Sequence, residues 1–207
     1  MRVKVCGITR VDDARLAADL GAWAIGFIFW PKSPRFVEPA RARAIVDALP
    51  AYVLPVGVFV NQPAGEVEEV GRLVRLGAVQ LHGDESAAYA AAMTRRVIKA
   101  MSPDRALGGE PERDWGMTTL LLDATEGDRR GGTGRTIDWD IAAAVARRRP
   151  VVLAGGLGPA NIAEAIRTVR PAAVDVSSGL ERVPGEKDPA LMEALFKAVA
   201  GVHEEVR

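Results

Sequence analysis

Cys6 closes an apolar run and is followed at once by Gly7, so its thiol stands at a strand end. A free cysteine is commonly a small buried hydrophobe. Facing a pocket it is instead a candidate proton acceptor, provided a local field favours thiolate over a thiol of reference pKa about 8.5. Lys4 lies two residues earlier, on the same side of an extended strand. It either supplies that field or pairs with Asp175 on a neighbouring strand. Both readings of Cys6 stand on position alone.

Asp123 follows the run TTLLL. Its carboxyl caps a turn, holds a metal, or works as an acid with a raised pKa in a partly dry pocket. No second carboxylate or histidine stands at a matching strand end, which weighs against the metal and favours acid–base work. Arg35, in WPKSPRF, is either a solvated charge or a two-pronged clamp for a carboxylate. Lys32 reads as solvated. Gln80 and His82 are two residues apart and share one side of a strand, where a substrate-positioning role and a structural one are both open. His203, in the charged tail, reads as exposed.

Two Gly-rich turns look suited to an anion. LAGGLGPANI carries Gly155 and Gly156, and DVSSGLE carries Ser178 and Gly179. Glycines let backbone N–H groups approach a phosphate, and a following helix N-terminus adds positive charge. Either turn alone also has a plain steric reading, but together, after successive strands, they favour a phosphorylated ligand. The segment 125–136, containing GDRRGGTGRT, reads as a mobile lid.

These residues need elements that bring them to one place. Short, β-branched apolar runs recur at 3–6, 24–29, 53–60, 78–81, 96–100, 119–122, 151–154 and 173–176. They are apolar on both faces, as buried parallel strands are. Amphipathic stretches at 11–20, 39–49, 66–76, 138–147 and 160–168 alternate with them. Helix starts are marked at Glu38-Pro39, Asp84-Glu85, Asp138 and Gly158-Pro159. The pattern predicts an α/β fold, a (β/α)8 TIM barrel forming one domain over 1–207, with the fifth helix short or irregular because 102–115 is rich in Pro, Gly and Asp. An open doubly wound sheet is the alternative, since alternation does not by itself demand closure. The polar residues gather after the strands, whereas the opposite turns at 20–22, 49–51 and 76–78 are plain. That asymmetry favours an enzyme over a scaffold.

Lys plus Arg and Asp plus Glu both number 27, so net charge exerts no general pull toward nucleic acid or an anionic membrane. One cysteine excludes an internal disulfide, and no apolar stretch of about eighteen residues occurs. The expected location is therefore cytoplasmic. Two histidines are too few for a histidine-rich metal site, and neither a metal nor another cofactor is expected. Trp30 and Phe36 serve as pocket walls or as an interface, which leaves a homodimer open.

In chain order, KVCGITR, GFIFWPKSPRFV, VGVFVN, VQLHGDE, LLDA followed by GGTGRTIDW, LAGGLGPANI and VDVSSGLE with PGEKD resemble phosphoribosylanthranilate isomerase. The resemblance runs from residue 3 to about residue 200. It implies a (β/α)8 barrel that converts N-(5-phosphoribosyl)anthranilate to its 1-deoxyribulose 5-phosphate isomer in tryptophan biosynthesis. It also implies Cys6 as general base, Asp123 as general acid and Arg35 on the anthranilate carboxylate. The turns at Gly155-Gly156 and Ser178-Gly179 would take the phosphate. Trp30, where relatives often carry a smaller side chain, and the basic Arg129-Arg130 depart from the family pattern. The rivals are an indole-glycerol-phosphate synthase, a metal-dependent sugar-phosphate epimerase, which would need more histidines, and a phosphate-ligand sensor without turnover.

Overall fold

The computed structural model describes residues 1–108, 115–116, 118–126, 129–130 and 137–204. Eight strands, β1 (Arg2–Cys6), β2 (Ala24–Ile28), β3 (Leu54–Phe59), β4 (Ala78–Leu81), β5 (Arg96–Met101), β6 (Thr119–Leu122), β7 (Val151–Leu153) and β8 (Ala173–Val176), lie parallel in sequential order. β8 pairs with β1, with Asp175 opposite Lys4, and this pairing closes the barrel. Closure decides against the open sheet.

Alternation along the strands separates two cores. Outward-facing Val3, Val5, Ile25, Phe27 and Leu120 join the helices in one apolar layer. Inward-facing Ala24, Val56, Ala78, Ile98, Ala100, Leu121 and Val152 fill the barrel centre. Each large side chain so buried contributes roughly 1.5–3 kcal/mol. Toward the C-terminal strand ends the inward positions turn polar, with Lys4, Cys6, Gln80, Asp123 and Asp175 all buried.

The helices are α1 (Val11–Asp19), α2 (Pro39–Asp47), α3 (Ala64–Val74), α4 (Ala87–Ala91), α5 (Pro103–Leu107), α6 (Trp139–Ala146), α7 (Ile162–Val169) and α8 (Pro189–Glu204). α5 has 5 residues, between a Ser102 cap and Gly108, which agrees with the short fifth helix read from the sequence. α4 is equally short, which the sequence reading did not anticipate. Its cap is Ser86, whose Oγ accepts from Tyr89 N. The expected start at Asp84-Glu85 is therefore corrected: Glu85 is buried in an ion pair with Lys99 instead. Gly158-Pro159 likewise does not open α7, because 159–161 form a turn and Asn161 is the residue before the first helical one. Asp138 does cap α6, accepting from Asp140 N and Ile141 N, and Pro39 stands in the first turn of α2.

Two short additions follow strand ends. After β8 the chain makes a 3-10 turn, Ser178–Leu180, and an antiparallel hairpin of Glu181–Val183 with Glu186–Lys187. After β6, Thr125–Glu126 pairs antiparallel with Arg129–Arg130. The lid read over 125–136 lies for the rest outside the described residues, as does the side chain of His203.

Candidate active site

A cavity of about 540 Å3 opens at the C-terminal ends of the strands. Its wall includes Cys6, Arg35, Gln80, His82, Asp123, Gly155, Gly156 and Ser178, drawn from six different strand ends. Gly179 is the one expected site residue that is not on the wall; it packs against the Leu157 carbonyl behind Ser178. Lys32, read as solvated, is exposed but does line the opening, and Trp30 forms part of the wall.

Cys6 sits in the last inward position of β1, 5% exposed. Gly26 on β2 makes room for it: a Cβ there would meet Cys6 Sγ at 2.7 Å and Lys4 Nζ at 3.0 Å. Lys4 donates to both oxygens of Asp175, at 2.9 and 3.0 Å. Burial works against its charge, but Asp175 and then Cys6 outweigh it and raise the Lys4 pKa. Burial also pushes the Cys6 thiol up, and the positive charges of Lys4 and Lys187 do not cancel that effect. Lys4 therefore does both things the sequence left open: it pairs with Asp175, and its charge favours the Cys6 thiolate without overcoming burial.

Contrary to the expectation that no histidine would match Asp123, His82 faces it across strand ends β6 and β4. Asp123 Oδ1 accepts from Ala124 N at 2.8 Å, which turns Oδ2 toward His82 Nε2 at 3.1 Å. That approach is too oblique to count as a hydrogen bond. Gln80 Nε2 donates to His82 Nδ1 at 2.9 Å, which leaves the ring proton on Nε2, toward Asp123. The other Gln80 atom, Oε1, is buried without a partner among the described residues.

Arg35 is 8% exposed and tied to Glu181, through Nε at 2.9 and 3.0 Å and Nη2 at 2.8 Å. Glu181 also accepts from Lys187 Nζ at 2.9 Å, and Lys187 donates to Ser177 O at 3.0 Å. Burial opposes the charge on Glu181, yet Arg35 and Lys187 hold its carboxyl below the usual range. One edge of the Arg35 fork is therefore occupied, and Nη1 has no hydrogen-bond partner among the described residues.

Gly155 and Gly156 have φ of +82° and +62°, values that side chains other than glycine rarely adopt. The turn is braced by Asn161, whose Nδ2 donates to Gly156 O and whose Oδ1 accepts from Gly158 N. Beside it the short 3-10 turn begins at Ser178. A short helical start next to a glycine turn at the last two strands is the recurrent phosphate arrangement of such barrels.

The model of the N-(5'phosphoribosyl)anthranilate isomerase family matches residues 3–198. The chain belongs to this family. It is 48% identical over 197 residues to N-(5'-phosphoribosyl)anthranilate isomerase of Geobacter metallireducens, covering 95% of this chain and 98% of that one. Phosphoribosyl anthranilate isomerase from Thermotoga maritima has a similar structure, with a TM-score of 0.88, 41% identity and coverage of 97% and 99%. A further structure describes that enzyme as dimeric. A phosphoribosyl anthranilate isomerase solved with reduced 1-(o-carboxyphenylamino)-1-deoxyribulose 5-phosphate aligns with TM-score 0.85 at 40% identity, covering 97% of this chain and 99% of that one.

Within this isomerase framework the residues to which the sequence assigned no role are Glu181, which braces Arg35, Lys187, which pairs with Glu181, and Ser177, whose buried Oγ lines the cavity without a partner among the described residues. Lys187 lies inside the PGEKD segment, as Ser177 and Glu181 lie inside DVSSGLE. Glu181 closes the DVSSGLE segment, but nothing local marks its pairing with Arg35, 146 positions away.

Proposed function

We propose that this chain isomerises N-(5-phosphoribosyl)anthranilate to 1-(2-carboxyphenylamino)-1-deoxyribulose 5-phosphate, with Asp123 as general acid and Cys6 as general base. The observation that carries the reading is the placement of both groups on one cavity wall, on strands three apart round the barrel in one direction and five in the other. Asp123 gives a proton to the furanose ring oxygen, the C1′–O bond breaks, and a protonated Schiff base forms. Cys6, as thiolate, then takes the C2′ proton, and the electron pair moves to give the enolamine. Tautomerisation yields the ketone; Cys6 then releases its proton and Asp123 takes one up, so that base and acid are both restored.

The rest of the wall holds the substrate. Gly155, Gly156 and Ser178 take the phosphate, with Gly179 allowing Ser178 its place. Arg35 meets the anthranilate carboxylate on its Nη1 edge while Glu181 fixes the other edge. Gln80 Oε1 accepts from a substrate donor, and His82 keeps the Asp123 carboxyl oriented. Cys6→Ser and Asp123→Asn should each lower kcat by about 10²–10⁴-fold, the usual worth of one acid or base. Near-full kcat in Cys6→Ser would remove the base assignment while leaving the family membership intact.

We further infer a cytoplasmic homodimer. No described helix is long and apolar enough to cross a membrane. Tyr52, 70% exposed, is the most exposed large apolar side chain among those described. It precedes β3, at the barrel end opposite the cavity, so a contact there leaves both sites open.

A further inference from the structure

Behind the cavity wall, between barrel and helices, lies a buried ion pair that the proposed reaction does not touch. Ile98 and Ala100 face the barrel centre, so Lys99 between them faces the helix layer, where it is fully buried. Its ammonium donates to Glu85 Oε2 at 2.8 Å, Gly83 O at 2.6 Å and Leu81 O at 3.3 Å. The Trp115 ring centroid is 5.8 Å away. Glu85 accepts from Gly83 N at 2.9 Å through Oε2 and from Asn61 N at 2.8 Å through Oε1.

Two buried charges are a poor source of stability, because desolvation offsets their attraction and apolar residues often serve as well. The pair instead has a geometric effect. Leu81 and Gly83, the neighbours of His82 on either side, both end on it. The loop after β3 is tied in as well, since Asn61 Oδ1 accepts from Asp84 N at 2.6 Å. The His82 ring, by contrast, has one aligned hydrogen bond among the described residues, to Gln80, and meets Asp123 Oδ2 obliquely. Its place depends on its backbone more than on its own bonds.

We propose that the Lys99–Glu85 pair is a positioning device that clamps the 81–83 turn, and so holds the His82 ring against the Asp123 carboxyl. This rests on Asp123 being the acid, as proposed above. A double-mutant cycle of Glu85→Gln with His82→Asn tests it, reading kcat, KM and thermal midpoint for each protein. Each single change should lower kcat by about 10- to 100-fold, as small misplacements do, with KM within about twofold. The double variant should be no slower than His82→Asn alone, while the losses in thermal midpoint add.

A Glu85→Gln protein with wild-type kcat overturns the proposal. So does an undiminished Glu85→Gln effect on kcat in the His82→Asn background, since that would be a general loosening. Wild-type kcat in His82→Asn overturns it too, whereas wild-type kcat in Asp123→Asn would instead remove the acid assignment. Should Glu85→Gln fail to fold, Glu85→Asp keeps a carboxylate beside Lys99 but shortens its reach. It should show a smaller kcat loss that likewise vanishes with His82→Asn, and an additive loss would overturn the proposal.

Discussion

At Cys6 the environment and the assigned chemistry pull in opposite directions. The base must be a thiolate, yet burial holds the thiol above its ordinary pKa. Alkylation of the ligand-free protein should therefore be slow at neutral pH and accelerate only above the usual thiol range. A fast, pH-independent rate near neutrality would mean that the field favours thiolate after all. Arg35→Ala should mainly raise KM, and it should also lower stability, because Glu181 would keep Lys187 as its remaining cation. Kinetics and urea unfolding on the same protein separate the two effects. Cys6, Asp123, Gln80 and His82 were legible in the sequence as strand-end residues, although position alone left open whether Cys6 faces the pocket. The engagement of Arg35 by Glu181 was not, since a pairing across the fold leaves no local pattern.

At the scale of elements, the hairpin after β8 couples site and stability. Glu181 has a depressed folded pKa, so its stabilising contribution is complete above the usual carboxylate range and is lost as pH falls through the folded value. Urea unfolding across acid pH should show this loss in the wild-type protein and a flatter profile in Glu181→Gln; equal profiles would contradict it. Gly155→Ala should cost about 1–3 kcal/mol, since it forces a left-handed backbone and brings Cβ to 2.9 Å from Ile137 Cγ2. Helix starts were only partly readable. Asp138 caps as its type suggests, but Glu85 looks identical in sequence to a first-turn acid and is claimed by Lys99 instead. A lysine within the apolar strand RVIKAM was the overlooked sign that a buried acid must stand nearby.

For the whole molecule, eight alternating units suggested the barrel, but only the β8–β1 pairing establishes closure, and that pairing spans nearly the full chain. Closure carries Asp175 to Lys4 and brings the first and last strand ends round one mouth. Assembly belongs to the same scale: Tyr52→Asp should convert a dimer to a monomer in light scattering with kcat unchanged, and an unaltered mass would place the contact elsewhere. The central claim is that this one mouth isomerises phosphoribosylanthranilate. Its most direct test is the decay of anthranilate fluorescence when freshly made substrate meets the wild-type protein. The expected result is a decay that scales with enzyme concentration and is nearly abolished in Asp123→Asn. Tight binding of intact substrate with no decay would contradict the account.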